Sequence, residues 1–590
     1  MTAGATRGPN FAVLVGLGWL VIATDLIVRH WAGTALTLGD TDDAMRLDQV
    51  RDFLAGQGWF DLRQPRLGPP AGYDSHWSRL IDAGLAGLFG LLHYFADAAL
   101  AERLMRVAWP LLWILPAIIG AAAIAWRIAG RDAAVVTLLL AVVGLPAFQQ
   151  FLPGRIDHHN IQIALSIATV AATAWSDRSR AAAWTAGALT GLALAIGLES
   201  IAFLGMCGAA FGLRFVVDRD GAGALARYGS ALAVSTLAAF LVSVGPDHWG
   251  RSACDTLAVN WALPVAAAGL LMGAVGMTIA SGRRLVRAAV VAAIAAAAAL
   301  AFVSIEPRCL AGPYAMMDST LRAIWFAHVS EMQPVWVIWR DSPVVAAAIV
   351  TFPAAAILAT LVLTRERAVR HDSGFVLAAC ELVVACVLAL AVAKMCMYAT
   401  WLGMPLVAAA SLRLFARLGL ENLVARAFAA MLLTPAVLSG GAIAAVQAAG
   451  YAAVEEHDDR ILGGCFKTAN YARLARLPQG VVAAEVDFGS FVLALTPHAV
   501  IAAPYHRLSA GIIAAHQIFA SPPDEARTIL ARFGASYVVT CGTRTEPGMN
   551  EAERSASLRG RLAAGVIPDW LRLVPAEPGD AFTVYRVRMN

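Results

Sequence analysis

Acidic and histidine side chains interrupt the apolar sequence at three places. Asp157-His158-His159 lies between two apolar runs, Asp40-Thr41-Asp42-Asp43 follows the first apolar run, and Glu331 lies within segment 329–334. Carboxylates and imidazoles lose hydration energy at a membrane unless they bind one another or a ligand. They are also ligands that divalent cations of hard or borderline character accept. We therefore predict that three loops on one side of a membrane converge on one metal ion.

The composition identifies the class of protein that must position these side chains. Of 590 residues, 59% are hydrophobic and only 15% are charged. A soluble domain carries about a quarter charged residues, so the chain is predicted to be a polytopic membrane protein. The net charge of +4 is small, and no basic block with interleaved aromatic residues indicates a nucleic-acid partner. The apolar run from Phe11 is expected to be a retained first helix.

Arginine placement predicts the topology. Short Arg-rich loops, which the positive-inside rule places in the cytoplasm, occur at 127–131, 178–180, 214–227, 283–287, 365–370 and 413–417. The loops that alternate with them carry the acidic clusters and are expected to face outward. This pattern predicts about thirteen spans, with the N-terminus inside and the C-terminus outside a bacterial inner membrane. The apolar piece 81–100 is expected to lie along the membrane or within the first outward loop, because counting it as a span would invert every later loop.

Two domains are predicted. Residues 1–449 form a transmembrane domain with outward loops at 31–106, 152–160 and 307–341. Residues 450–590 read as a periplasmic α/β domain, because helical periodicity gives way to shorter elements. Its predicted strands are 480–495 and 535–541, and its predicted helices are 509–521 and 523–533.

Four of the eight cysteines fall in predicted outward regions. Cys254 and Cys309 lie in two outward loops, and Cys465 and Cys541 lie in the C-terminal region. Each pair could form a disulfide in an oxidising compartment, although the sequence does not fix the connectivity. The other four cysteines lie in apolar runs and read as packing residues.

The order of several motifs resembles that of the catalytic subunits of oligosaccharyltransferases, which have a GT-C membrane fold. Asp43-Ala44-Met45-Arg46-Leu47 is similar to the family's acidic first-loop motif, and 154–159 is similar to its Asp-x-Asp or Asp-x-His motif. Segment 329–334 resembles the Ser-Val-Ser-Glu-type motif of a mobile loop, and Lys394 to Tyr398 resembles a basic-x-x-x-Tyr motif. Asp487-Phe488-Gly489 stands where the family has Trp-Trp-Asp-Tyr-Gly.

The resemblance implies an inverting, metal-dependent glycosyltransferase that uses a polyprenyl phosphate or pyrophosphate donor and contacts membrane lipids. The implied cofactor is Mn²⁺ or Mg²⁺. The expected catalytic carboxylates are Asp43, the first choice, and Asp42. The expected metal ligands are Asp157, His159, Glu331 and Asp43. The expected donor-phosphate residues are Lys394, Arg155, His158 and Tyr398. The expected acceptor-side residues are Asp487, Glu485, His506 and Arg507.

Two of these assignments also have support from the residues alone. Asp157 and His159 are two apart, so in an extended loop both side chains point the same way and can bind one ion. Lys394 stands alone among apolar residues and needs an anionic partner, which a lipid-linked phosphate would supply. Snorkelling of Lys394 to the headgroups is the alternative. The acidic segments have alternative interpretations as well, namely helix caps for Asp43 and for 157–159 and an exposed loop residue for Glu331.

The departure from the family concerns the acceptor. Glu485 and Val486 stand in place of the paired tryptophans that read a Ser or Thr of the acceptor sequon. We therefore expect a periplasmic glycan or lipid acceptor rather than a protein, with protein oligosaccharyltransferase as the alternative. Two other classes remain open at this point: a lipid or glycan transporter or flippase, and a non-catalytic scaffold. The polar residues cluster in loops rather than at the bilayer midplane, which favours the enzyme.

Overall fold

A computed structural model describes residues 10–279, 283–451, 464–542, 549–577 and 579–588. The chain begins with one apolar helix followed by the first outward loop, whose short elements end in a half-buried amphipathic helix. These elements are α1 (Phe11–His30), α2 (Gly33–Leu36), α3 (Thr41–Leu54), β1 (Arg63–Gln64), β2 (Tyr73–Asp74) and α4 (Arg79–His93). Segment 79–93 is therefore a separate 15-residue helix within the loop, which agrees with the prediction for 81–100.

The central part of the chain is a bundle of apolar helices. The helices are α5 (Ala98–Ala129), α6 (Arg131–Val142), α7 (His159–Trp175), α8 (Arg180–Ile196), α9 (Ile201–Val217), α10 (Gly221–Ser243), α11 (Val259–Thr278) and α12 (Arg284–Ile305). After a loop with short helices the bundle continues through α13 (Ser319–Ile324), α14 (Val335–Asp341), α15 (Pro343–Leu363), α16 (Arg367–Arg370), α17 (Ser373–Ala391), α18 (Met395–Arg417), α19 (Leu423–Leu432) and α20 (Pro435–Ala448).

These helices define a multi-pass membrane protein. Within the described ranges, eight helices are long and apolar enough to cross a membrane, or nine if the bent pair α19 and α20 is one span. The four remaining predicted runs correspond to α6, α7, α8 and α9, which have 12 to 17 residues each. The thirteen predicted apolar runs are thus all helical, and the count of thirteen spans stays a prediction.

The C-terminal region contains a five-stranded sheet with helices around it. Its elements are α21 (Ala472–Arg476), β3 (Val481–Ala483), α22 (Gly489–Leu495), β4 (Ala499–Val500), α23 (Ser509–Ala520), α24 (Pro523–Arg532), β5 (Ala535–Cys541), α25 (Glu551–Ala556), α26 (Leu558–Ala563), β6 (Leu571–Leu573) and β7 (Phe582–Val587). The strand order is β4-β3-β5-β7-β6. The first three strands are parallel, and β7 pairs antiparallel with β5 and β6. The predicted α/β architecture is confirmed, while the predicted boundary at 450 stays a prediction beside residues 452–463, which lie outside the described part.

One of the two predicted strands is wrong for most of its length. The strand expected at 480–495 ends at Ala483, and a 3-10 turn at Val486–Phe488 leads into α22. Phe488, Phe491 and Val492 are buried together at helical spacing. Packing in the core therefore stabilises a helix here, although apolar and polar residues alternate locally in the sequence. The strand predicted at 535–541 is confirmed as β5.

The first outward loop and the C-terminal domain share one hydrophobic core, which includes Met45, Trp77, Ile156, Phe488 and Tyr505. Their backbones are joined as well, because Gly68 N donates to the Val500 carbonyl and Val500 N donates to the Arg66 carbonyl, at 2.9 and 2.8 Å.

Arginines of the loop cap the C-terminal end of α22. Arg66 Nη1 donates to the carbonyls of Leu493 and Thr496 at 3.0 Å, and Arg51 Nη1 donates to the Ala494 carbonyl at 2.5 Å. Guanidinium groups satisfy the carbonyls that a helix end leaves unpaired.

Two disulfides are present in the structure. Cys254 is bonded to Cys309, and Cys465 is bonded to Cys541. Both pairings suggested by the loop positions are therefore confirmed. The first bond joins the segment before α11 to the segment after α12, and the second joins the start of the C-terminal domain to the end of β5.

Candidate active site

The N-terminus of α3 orients the adjacent residues Asp42 and Asp43 in different directions. Asp40 is the N-cap, and its Oδ1 accepts the backbone N–H groups of Asp42 and Asp43 at 2.9 and 3.1 Å. Asp43 Oδ2 accepts the Asp40 N–H at 3.0 Å, which completes a capping box. Gly39 has φ of +94°, and a Cβ there would lie 2.3 Å from Asp43 Oδ2. The cap thus requires glycine at 39, turns Asp43 inward, and leaves Asp42 facing a cavity.

Asp43, the first-choice catalytic residue, instead fastens the second outward loop to α3. It is fully buried, and its Oδ1 accepts the N–H groups of Ile156 and Asp157 at 2.6 and 3.1 Å. Arg155 Nε lies 3.3 Å from Asp43 Oδ2. The contacts of this carboxylate are thus internal, whereas Asp42 lines the cavity described below. The predicted role of Asp43 as the reacting or metal-binding carboxylate stays a prediction.

Arg155 is also committed to the protein. Its guanidinium forms ion pairs with Asp40 and Asp157 in addition to Asp43. The three carboxylates have oxygens within 4.8 Å of one another, a spacing that could hold a metal ion. The guanidinium places one positive charge among these three carboxylates. The donor-phosphate role of Arg155 stays a prediction.

Asp157 is buried beside the start of α7 rather than on the cavity wall. Its Oδ1 accepts the His159 N–H at 2.8 Å, so it caps this helix, and its Oδ2 binds Arg155. Burial opposes ionisation, but Arg155 and then His159 outweigh it and lower the pKa of Asp157 to about 2. In this arrangement Asp157 positions His159 and lies off the wall of the cavity described below. Its role as a metal ligand stays a prediction.

A polar cavity of about 550 Å³ collects the side chains that remain available. Residues from all three predicted loops line it, together with residues of the C-terminal domain: Asp42, His76, Trp77, His158, His159, Tyr314, His328, Glu331, Lys394, Asp487, Tyr505 and His506. The predicted convergence of three loops is therefore observed. Asp42, His159 and Glu331 are the residues that represent the three loops in this cavity.

Asp42, His158 and His159 form the group on this wall that could hold a metal ion, since their ligand atoms all lie within 4.8 Å of one another. Burial, followed by Asp40, raises the pKa of Asp42 to about 8, and the charge of Glu331 also acts on it. Burial holds the pKa of His158 well below its usual range, so this imidazole is neutral. One carboxylate and two imidazoles suit a borderline divalent cation.

Glu199, to which the sequence assigned no role, lies between His159 and Lys394. Its Oε2 is 3.0 Å from His159 Nδ1 and 2.8 Å from Lys394 Nζ. Burial alone would raise the pKa of Glu199, but Lys394 and then His159 outweigh it and hold that pKa well below its usual range. The anionic partner of Lys394 is thus a protein carboxylate. Only its place at the outer end of α8 could have indicated Glu199.

Lys394 also joins segment 329–334 to the helix bundle. Its backbone N–H donates to the Glu331 carbonyl at 3.1 Å, and Ala393 N donates to the Gln333 carbonyl at 2.9 Å. Tyr398, one turn further along α18, is fully buried with its ring stacked on Phe203 at 4.9 Å. The predicted contact of Tyr398 with phosphate does not fit this burial.

A second cavity of about 650 Å³ opens beside the first. Apolar side chains of α14, α15 and α18 form much of its wall, including Ile338, Val345, Ile349 and Met397. The two cavities share Ser330, Glu331 and Lys394. The polar cavity therefore meets the more apolar one at segment 329–334 and Lys394.

The predicted acceptor-side residues divide into two pairs. Asp487 and His506 line the polar cavity. Glu485 is buried in an ion pair with Arg559 at 2.9 Å, and Arg507 pairs with Asp255 at 2.5 Å. The charges of Glu485 and Arg507 are thus paired within the protein, and their acceptor role stays a prediction.

Comparison with known proteins identifies the fold. No protein-family model and no curated protein match the chain. Solved structures of an oligosaccharyltransferase from Archaeoglobus fulgidus do. Its apo form is 15% identical and covers 92% of this chain and 71% of its own, with a TM-score of 0.69. Archaeal oligosaccharyltransferase AglB with an inhibitory peptide and a dolichol-phosphate is 15% identical, covers 97% and 73%, and has a TM-score of 0.65.

A third structure from the same organism, the complex with Zn and sulfate, is 15% identical, covers 96% of this chain and 72% of its own, and has a TM-score of 0.58. At this identity the likeness defines the fold. The chain is a membrane protein of the GT-C fold, as the ordered motifs predicted. More particularly, it has the architecture of these archaeal oligosaccharyltransferases, and it is divergent from them in sequence.

Proposed function

We propose that this protein is an inverting glycosyltransferase that moves a sugar or oligosaccharide from a polyprenyl phosphate or pyrophosphate to an acceptor. The junction of the two cavities at Ser330, Glu331 and Lys394 carries the proposal. An apolar chamber suits a polyprenyl chain, and a charged chamber beside it suits the phosphate and sugar. The similar AglB structure with a dolichol-phosphate supports the same donor class.

The residues of the polar cavity have distinct tasks in this proposal. Lys394, held by Glu199, presents positive charge to the donor phosphate. Asp42 accepts a hydrogen bond or a proton from the acceptor nucleophile, for which a pKa near 8 is suitable. His158 and His159 line the cavity together with Asp42, and Glu331 lines it from segment 329–334.

We further propose that Asp42, His158, His159 and Glu331 hold a divalent cation, Mn²⁺ in preference to Mg²⁺. Imidazole nitrogen favours the softer of these two ions. A cation in this position would stabilise negative charge on the departing phosphate oxygen. The complex of a similar archaeal structure with Zn supports a cation in this fold.

Exhaustive chelation of the purified protein is expected to abolish transfer, because it removes the positive charge that would stabilise the departing phosphate oxygen. Transfer from a synthetic polyprenyl-linked sugar would be followed by mass spectrometry of the product. Readdition of Mn²⁺ should restore it. Transfer that persists after chelation, with trace metals verified to be absent, contradicts the metal requirement.

The acceptor is proposed to be a glycan or lipid hydroxyl outside the cytoplasm of a bacterium, with the C-terminal domain on the same side as the acceptor. Glu485 and Val486 replace aromatic walls that would stack on a peptide side chain. Glu485 is turned to Arg559, and Val486 packs beside the small cluster that includes Leu321 and Ile512. The segment thus offers no pair of aromatic walls to a sequon.

Deletion of the gene should remove a glycan from envelope lipids or polysaccharides and leave Asn-linked glycopeptides unchanged. Mass spectrometry of lipid, polysaccharide and glycoprotein fractions, compared between the deletion strain and its complement, measures this. Complementation with a gene that carries Asp42→Asn distinguishes an enzyme from a transporter or a scaffold. An enzyme needs this carboxylate to form the glycosidic bond, so the variant should fail to restore the glycan. A transporter or a scaffold forms no such bond, so the variant should restore it. Loss of Asn-linked glycans on Asn-x-Ser/Thr peptides would show that the acceptor proposal is wrong.

A further inference from the structure

A second group of metal-ligating side chains lies outside the one formed by Asp42, His158 and His159. It consists of His76, Asp255 and His506, whose ligand atoms all lie within 4.8 Å of one another. These residues come from the first outward loop, the segment before α11 and the C-terminal domain. His76 and His506 also line the polar cavity. Three distant parts of the chain are thus brought together beside the candidate active site.

The carboxylate of this group stands on a rigid segment. Cys254, the preceding residue, is tied to Cys309 by a disulfide. The Asn260 side chain accepts from Ala253 N at 3.1 Å and donates to its carbonyl at 3.0 Å. Thr256 Oγ1 donates to the His76 carbonyl at 3.2 Å, which joins this segment to the first loop. Preorganised donors of this kind distinguish a built site from a chance surface cluster.

Contacts of His506 and of its neighbour Tyr505 fix the position of this imidazole. Its Nε2 lies 2.6 Å from Asp255 Oδ2, and its ring contacts the His76 ring with centroids 5.0 Å apart. The neighbouring Tyr505 hydroxyl donates to the Thr41 carbonyl at 2.9 Å, which anchors this turn against α3. The imidazoles therefore meet on one side of the carboxylate.

The Asp255 carboxylate has a second partner. Arg507 donates to both carboxylate oxygens, through Nη2 to Oδ1 and through Nε to Oδ2. A cation at Oδ2 would replace the contact of His506 with that oxygen and compete with the Arg507 Nε bond, while the bond to Oδ1 can remain.

We propose that His76, Asp255 and His506 bind a borderline divalent cation, Zn²⁺ foremost, which fastens the C-terminal domain to the outward loops. Two imidazoles and one carboxylate are a three-ligand set that Zn²⁺ uses with a fourth position left open, here toward the cavity. Tetrahedral ligation at about 2.0 Å places donor atoms roughly 3.3 Å apart. His506 Nε2 and Asp255 Oδ2, which are 2.6 Å apart, must therefore separate slightly when the ion binds. This site is separate from the cation of the proposed function and does not depend on it.

The test uses the full-length protein, purified without chelator, loaded with Zn²⁺ and desalted, with zinc content measured by mass spectrometry. The background variant is Asp42→Asn with Glu331→Gln, which removes charged ligands of the other proposed site. We expect this background to keep one equivalent of zinc. Adding His506→Gln or, separately, His76→Gln should lower the content at least tenfold. Adding His248→Gln, a change at an exposed histidine of the same segment as Asp255, should not.

Co²⁺ substitution provides a second readout, because tetrahedral nitrogen and oxygen ligation gives strong visible absorption. That absorption should appear in the background variant and vanish with either histidine change. A background variant that binds no zinc, or a bound equivalent that survives both His76→Gln and His506→Gln, would overturn the proposal. Because metal content is measured rather than transfer, these outcomes are distinguishable from a failure of the proposed function.

Discussion

Asp42→Asn is expected to lower the rate of sugar transfer by about 10²–10⁴-fold while leaving the fold intact. The Asp42 carboxyl faces the polar cavity with His158 and His159, and its side chain makes no hydrogen bond that holds the described loops together. Asparagine preserves the size of the group and removes its charge and its ability to accept a proton. The measurement is turnover of a synthetic polyprenyl-linked sugar, with unfolding temperature recorded for the same preparation.

Asp43→Asn is the matched control, since it makes the same change one residue away. Here the expected loss is in stability, of about 0.5–2 kcal/mol for a weakened helix cap, and more for the ion pair with Arg155. Transfer per folded molecule should fall much less than in Asp42→Asn. If Asp43→Asn is stable and inactive while Asp42→Asn retains its turnover, Asp43 is the reacting carboxylate and the assignment is reversed.

The sequence predicted the parts of the site that depend on chain order and membrane side. Alternation of arginine loops with acidic loops was enough to expect that the three loops meet, and one cavity contains residues of all three, although Asp42 lines it in place of the expected Asp43 and Asp157. Long elements with clear periodicity, such as β5, were also predictable. The cysteines of both disulfides were expected on the same side of the membrane, but the structure was needed to fix their pairing.

The choice between Asp42 and Asp43 could not be made from sequence. Adjacent helical residues differ by about 100° in direction, and which one faces inward depends on the capping box and on Gly39. Glu199 could not be given a role from the sequence for another reason. Its partners His159 and Lys394 are distant in the chain, so no local pattern marks it.

The same limit applies to the C-terminal residues. Glu485 is an acidic residue in a region expected to face an acceptor, but only the tertiary structure brings Arg559 to it. Likewise, only the tertiary structure brings His506 and Arg507 to Asp255 and places His76 beside them.

Glu199→Gln is expected to destabilise the folded protein by about 3–5 kcal/mol, the usual cost of removing one partner from a buried ion pair. Lys394 and Glu199 are each less than a tenth exposed, and His159 shares the same carboxylate oxygen. Without that oxygen a buried ammonium loses its counter-charge. Lys394→Met alone should cost less, since Glu199 keeps His159. Unfolding in detergent, followed by intrinsic fluorescence, measures both effects.

The double variant Glu199→Gln with Lys394→Met separates a structural role from a role in donor binding. Removing both charges eliminates the unpaired ammonium, so the double variant should recover most of the stability lost in Glu199→Gln. Donor use should not recover, because the phosphate has then lost the ammonium of Lys394, and the KM for donor should stay at least tenfold above that of the native protein. Lys394→Arg should retain more donor use than Lys394→Met. A double variant that regains both stability and the native KM would show that Lys394 serves only to balance Glu199, and that the donor phosphate is held elsewhere in the cavity.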